Sequence, residues 1–198
     1  MAPTVVFPDI HASLNFEGEY FTFPAIVNGK SVKVRMTPEA LQRRFGAKSS
    51  ARQDLEYAIT RAMPGIHALA RSMIESSHVS PAGEVVIDGK DVMNVTFGDT
   101  LRRSSYDELL ALQATQRLEE AIGPPAPRVS ATWDLDEDER GRAAITLELA
   151  DATESAKARF EPSELARDSN RTRLRFIRLW GDVLQEKSHR LLQKLLAS

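Results

Sequence analysis

Apolar and polar residues alternate along the first part of the chain with a period of two, and the period then lengthens to that of a helix. Phe21, Phe23, Ala25 and Val27 take every second position, and so do Val32, Val34 and Met36. Side chains of an extended chain point alternately to the two faces of a sheet, so each set marks one buried face and leaves Lys33 and Arg35 on the other. Residues 14–16, 20–27 and 31–36 are expected as strands. Gly18 separates the first two. Asn28-Gly29 separates the second two and suits a tight hairpin, because both residue types accept positive φ. Thr37-Pro38 reads as an N-cap followed by a proline at the first helical position, where its missing N–H costs nothing. A short helix follows to about Phe45 and stops at Gly46.

Beyond it, Leu55, Ile59, Ala62, Met63, Ile66, Ala70, Met73 and Ile74 line one side of a long helix. Ser50 and Gln53 resemble a capping box at its start. Pro64-Gly65 in its middle predicts a kink or a break. Residues 84–87 suit a fourth strand, closed by Asp88-Gly89. A second box, Ser105 and Glu108, opens a helix to about Ile122, and residues 123–127 (Gly-Pro-Pro-Ala-Pro) read as a stiff linker.

After the linker the pattern returns. Residues 129–133, 143–149 and 155–160 are expected as strands, with an acidic loop from Asp134 to Glu139. Pro162 opens a short helix, and a long one spans about residues 172–196. Residues 31–41 (SVKVRMTPEAL) and 155–165 (SAKARFEPSEL) match at Ser31/Ser155, Lys33/Lys157, Arg35/Arg159, Pro38/Pro162 and Leu41/Leu165, and Thr22/Thr146 share the same offset. With the long helices aligned, Leu55, Ile59, Ala62, Met63 and Ala70 fall on Phe176, Trp180, Val183, Leu184 and Leu191. The expected fold is α+β. It has two related units, each a three- to four-stranded antiparallel meander on a short and a long helix, arranged as an intramolecular pseudo-dimer. One unit covers residues 1–95, a bridging helix and linker residues 96–127, and a divergent second copy residues 128–198. In that copy Phe176, Ile177, Trp180, Val183, Leu184, Leu191 and Leu195 form the expected core stripe, widened by Leu192 and Leu196.

The first half resembles the YrdB-like family, short bacterial proteins classed as a domain of unknown function. The resemblance rests on Phe7-Pro8-Asp9, residues 23–29 (FPAIVNG), Glu39, Leu41, Arg44 and Phe45, and it covers about residues 5–90. It implies an antiparallel sheet packed on helices and no established activity. Pro64-Gly65 and about a hundred further residues depart from the family pattern. The second half lacks the Phe-Pro-Asp and Asn-Gly signatures.

Composition narrows the chemistry. The chain has 198 residues, 42% of them hydrophobic and 27% charged, which is enough to bury a core without covalent or metal cross-links. It contains no cysteine, so disulfides, thiolate metal sites and cysteine nucleophiles are excluded, and a reducing compartment, the cytoplasm, is the expectation. Residues 1–13 lack the pattern of a signal peptide, and no apolar run approaches the ~20 residues that span a bilayer. His11, His67, His78 and His189 show no metal-binding spacing, and no cofactor is expected. Asp134-x-Asp136-x-Asp138 resembles the start of a calcium loop, but Glu139 stands where glycine is needed and Ile145 where a bidentate glutamate is needed. Gly-x-Ser-x-Gly, Walker and Gly-x-Gly-x-x-Gly patterns are absent, so no catalytic residue is nominated.

The net charge of −2 gives no general attraction to nucleic acid, but it is unevenly spread. Residues 129–168 hold 5 basic and 11 acidic side chains, and residues 169–198 hold 7 basic and 2 acidic. These segments either neutralise each other on folding or present a basic helix to an anionic partner. The twice-presented Lys33, Arg35, Lys157 and Arg159, with Arg171 and Arg175, form the candidate binding surface. Its alternative role is cross-strand ion pairing with acids such as Glu148. The functional expectation is a non-enzymatic protein-binding or adaptor module that self-associates. A nucleic-acid-binding regulator and an enzyme of unrecognised class stand as alternatives.

Overall fold

The computed structural model describes residues 3–8, 15–76, 78–123, 126–137 and 143–196. Asp9, His11, Leu14, Pro124, Pro125, Asp138 and Glu139, all used in the sequence reading, lie outside them. The chain is α+β and divides into two compact units, Met1–Val92 and Met93–Ser198.

The first unit begins with two short strands, β1 (Val5–Val6) and β2 (Asn15–Glu17). β3 (Tyr20–Val27) and β4 (Lys30–Met36) follow, then helices α1 (Pro38–Phe45) and α2 (Arg52–Glu75), and finally β5 (Glu84–Ile87). β3 and β4 form the expected hairpin, with Asn28 and Gly29 at φ 50° and 80°. Phe21, Phe23, Ala25, Val32, Val34 and Met36 are buried, as their alternation requires. β1 and β2 both pair with β3, at Val27–Ile26 and Thr22–Tyr20, leaving residues 23–25 between them. Pro24 sits in that gap. Its partner Lys33 sends its N–H away from β3 to the Gly83 carbonyl, so Pro24 likewise turns its N–H-less nitrogen away from β4.

Thr37 caps α1 by accepting the Ala40 N–H, and Gly46 ends it at φ 73°. At α2 the expected Ser50–Gln53 box does not form, and the helix starts one residue later. Ala51 is the N-cap, and the Ser49 hydroxyl takes the Ala51 N–H while donating to Asp54. α2 continues through Pro64 without a break. Pro64 and Thr60, whose carbonyl loses its partner, both face solvent, while buried Ile59, Ala62, Ile66 and Ala70 hold the two halves on the sheet. β5 adds to β4 in parallel, so the sheet is mixed where an all-antiparallel meander was expected. Helices α1 and α2 separate β4 from β5, which makes the parallel crossover possible.

The second unit comprises β6 (Asn94–Phe97), α3 (Asp99–Arg102), α4 (Ser105–Ile122), β7 (Ser130–Glu137), β8 (Ala143–Ala150), β9 (Ser155–Phe160), α5 (Pro162–Leu165) and α6 (Asn170–Leu196). The sheet order is β6-β7-β8-β9, with β6 parallel to β7 and the other pairs antiparallel. Four residues are too few for β6 to show periodicity in the sequence. β7 runs through Glu137, where a loop was expected from Asp134, because Asp134 and Asp136 take outward positions while Trp133 turns inward. Ser104 rather than Ser105 caps α4, accepting the Asp107 N–H. α4 packs on α6, α5 and β7 within this unit. Trp133 is wholly buried at its centre, donating from Nε1 to Thr115 Oγ1 at 3.0 Å and touching Phe160 and Phe176.

The two hairpins share one register. Phe21–Met36, Thr22–Arg35, Pro24–Lys33 and Ala25–Val32 reappear 124 positions later as Ile145–Phe160, Thr146–Arg159, Glu148–Lys157 and Leu149–Ala156. Thr22 Oγ1 donates across the sheet to Asn15 O at 3.3 Å, and Thr146 Oγ1 donates to Asp134 O at 3.3 Å. In both units a proline-started helix and a long helix follow. The expected equivalence of the long helices holds for their first turns alone. Phe176 and Val183 are buried as Leu55 and Ala62 are, but Trp180 is half-buried where Ile59 is buried, Leu184 is exposed opposite half-buried Met63, and Leu191 is exposed where Ala70 is buried.

Candidate functional site

Lys33 and Arg35 occupy the outer face of the first sheet, Lys157 and Arg159 that of the second, where alternation puts them. Each meets a carboxylate of its own sheet: Glu84 and Glu148 stand on the adjacent strand, Glu17 and Asp136 one strand further away. Lys33 Nζ donates to both oxygens of Glu17 at 2.9 and 2.8 Å, and Arg35 lies 3.5 Å from Glu84 with its guanidinium over the Tyr20 ring. Lys157 pairs with Glu148 at 2.9 Å and Arg159 with Asp136 at 3.5 Å. The cross-strand pairing anticipated from sequence is therefore what the geometry makes of these four cations.

Arg175 is turned onto its own sheet. In the β8–β9 hairpin the Asp151 N–H bonds to Glu154 O, so by strand alternation Lys157 and Arg159 point their backbone groups to the open edge of β9. Arg175 fills part of that edge. It donates from Nη2 to the Arg159 carbonyl, pairs with Glu164 at 2.5 Å and lies over the Phe160 ring. An edge carbonyl is thereby satisfied by a side chain, which blunts the strand against intruding chains. Arg171 stays exposed on α6.

α6 itself carries two apolar faces. Thr172, Phe176, Leu179 and Val183 are buried on one. The same line continues through Lys187, bonded to Asp151 at 2.6 Å, and Arg190, which meets Glu154 at 2.6 Å, so the helix is tied to the β8–β9 turn. The second face holds Leu174, Ile177, Leu184, Leu191 and Leu195, between 43% and 72% exposed. This overturns the expectation that Ile177, Leu184, Leu191 and Leu195 belong to a second core, and Leu192 and Leu196 are exposed with them. One helix side can meet the sheet, and Phe176, Leu179 and Val183 take that side.

With Gly181 and Ser188, the exposed residues step along the helix by alternating threes and fours, the spacing of a coiled-coil seam. That spacing, from Leu174 to Leu195, was the signal in the sequence that would have singled out this face. Gly181 has nothing within 4 Å of where a Cβ would be. The positions beside the seam are Arg173, Arg178, Trp180, Gln185, Lys187, Leu192 and Lys194, none of them acidic.

Other chemistry is sparse. Among the described residues no group of three His, Asp or Glu could hold a metal ion, and no described helix is long and apolar enough to cross a membrane. His67 stacks on the Phe7 ring at 4.3 Å, and burial, with Arg71 adding to it, lowers its pKa below the ordinary value. No curated protein and no solved structure matches the chain. Residues 5–87, nearly all of the first unit, match the family model described as Protein of unknown function (DUF1488), so this unit is similar to an uncharacterised domain family and α6 lies outside the match.

Proposed function

We propose that the protein is a non-enzymatic protein-binding or adaptor module that works through the exposed heptad face of α6. The observation that carries this reading is the row of Ile177, Leu184, Leu191 and Leu195 left in solvent on a helix whose other face already fills a core. Isolated surface leucines are common, but a row of exposed aliphatic side chains at heptad spacing, broken only by Gly181 and Ser188, is a recurrent mark of an interaction site. A photoreactive residue placed at Leu184 in the native cells should yield a discrete adduct, identifiable by mass spectrometry. The adduct should be absent from position Glu186 and lost when Leu191→Glu is added. Adducts equal at both positions would sink the reading.

The scaffold reading goes with it. The first unit is taken as a YrdB-like domain and the second as its divergent duplicate, supported by the shared hairpin register and the repeated threonine bond. A cytoplasmic location suits the cysteine-free composition. Self-association is the second reading, favoured by the same leucines, and light scattering at high protein concentration tests it. A nucleic-acid role has less support, since Lys33, Arg35, Lys157 and Arg159 each face a carboxylate.

A further inference from the structure

Resting on that reading, we propose that the partner seated on α6 is an amphipathic helix of another protein with acidic residues flanking its apolar seam, crossing closest at Gly181. Two observations point to it. The first is charge. In a heptad pair the residues beside the seam choose the partner, and here they include Arg173, Arg178, Lys187 and Lys194 with no acid. Lys187 is engaged by Asp151, while Arg173, Arg178 and Lys194 have no ion-pair partner among the described residues. A second copy of α6 laid parallel would set Arg173 against Arg178, with Trp180 against Gln185 and Lys187 against Leu192, and an antiparallel copy would set the row of Arg173, Trp180, Lys187 and Lys194, three of its four residues cations, against itself. Like charges at these sites select against self-pairing, and glutamates opposite them select for a foreign helix.

The second is Gly181. A glycine inside a 27-residue helix weakens it relative to alanine, and nothing in this chain's packing requires it, since the space above its Cα is open. On the seam itself, one heptad from Ser188, it makes a notch that lets another backbone approach closely. A membrane surface would use a broad apolar face and gain nothing from such a notch, whereas a packed helix would.

The test uses the full chain and two synthetic heptad peptides of about four heptads, with leucine along the seam and either glutamate or lysine at every flanking position. Binding is read by calorimetry and by Trp180 fluorescence. The glutamate peptide should bind at least about tenfold more tightly than the lysine peptide in low salt, and the gap should close as salt rises toward about 1 M. Gly181→Leu should weaken the glutamate peptide about tenfold while leaving thermal stability unchanged or raised, an outcome that a merely structural glycine would not give. Equal binding of the two peptides overturns the proposal. So does a dimer of the chain alone that Leu184→Glu dissolves, or binding to phosphatidylserine vesicles that Leu184→Glu abolishes while neither peptide binds. If both peptides fail but the Leu184 adduct forms in cells, the face stands and the acidic-helix assignment falls.

Discussion

Arg175 and Lys33 are both cations beside a sheet, yet their surroundings give them different weight. Glu164 is largely withdrawn from water beside Arg175, and the Arg159 carbonyl depends on the same guanidinium. Arg175→Ala leaves both unsatisfied and should cost about 2 kcal/mol or more. Lys33 and Glu17 are each nearly half exposed, so Lys33→Ala should cost at most ~1 kcal/mol. Urea unfolding checks the pair of values. The chain's two tryptophans, Trp133 and Trp180, lie in the second unit, so fluorescence follows Arg175→Ala, and circular dichroism follows Lys33→Ala. Equal losses would contradict the role given to Arg175. His67 supplies a pH dependence. Its folded pKa lies below 6.5, so the unfolded chain binds more protons just under that value. Stability should be full above pH 6.5 and fall as pH drops through it toward the folded pKa. His67→Phe keeps an aromatic ring on Phe7 and should flatten the profile, and a slope that survives the substitution would locate its source elsewhere.

At the level of elements, the β3–β4 hairpin is decided by Asn28-Gly29. Gly29 stands at φ 80°, which costs a residue with a Cβ, so Gly29→Ala should destabilise the first unit by about 1 kcal/mol. The midpoint of thermal unfolding by circular dichroism reports it, and an unchanged midpoint would mean that the turn can relax. The hairpins, their faces and the Thr37 cap were legible because each is set within a few residues. Helix starts were legible to one residue: Ser104-Ser105 offers two registers and the structure takes the first, and α2 starts from Ala51, one residue after Ser50. β5 and β6 were harder to place. Each joins its sheet in parallel with a strand more than thirty residues away, and four residues hold too little pattern to name that neighbour.

Across the whole molecule, each unit owns a sheet and a core: Phe21, Phe23 and Met36 with Ile59 and Ile66 in the first, Trp133, Phe160, Phe176 and Leu147 in the second. Residues 1–92 and 93–198, expressed apart, should each unfold cooperatively. A fragment that gives no unfolding transition would show that its core is insufficient alone. The candidate surface was half legible. Sequence placed Lys33, Arg35, Lys157 and Arg159 on outer faces, but Glu17, Glu84 and Asp136 could not be matched to them until strand order was known.

The alternation of apolar residues, the Asn-Gly turn, the proline-started helices and the repeated register motif follow from local chemistry, and the sequence by itself determined them. Which side of α6 is buried was decided by tertiary structure. The helix carries apolar residues on two faces, and both satisfy the same periodicity. Burial depends on the neighbours supplied by β8, β9 and α4, and these meet Phe176, Leu179 and Val183, leaving Leu184, Leu191 and Leu195 in water.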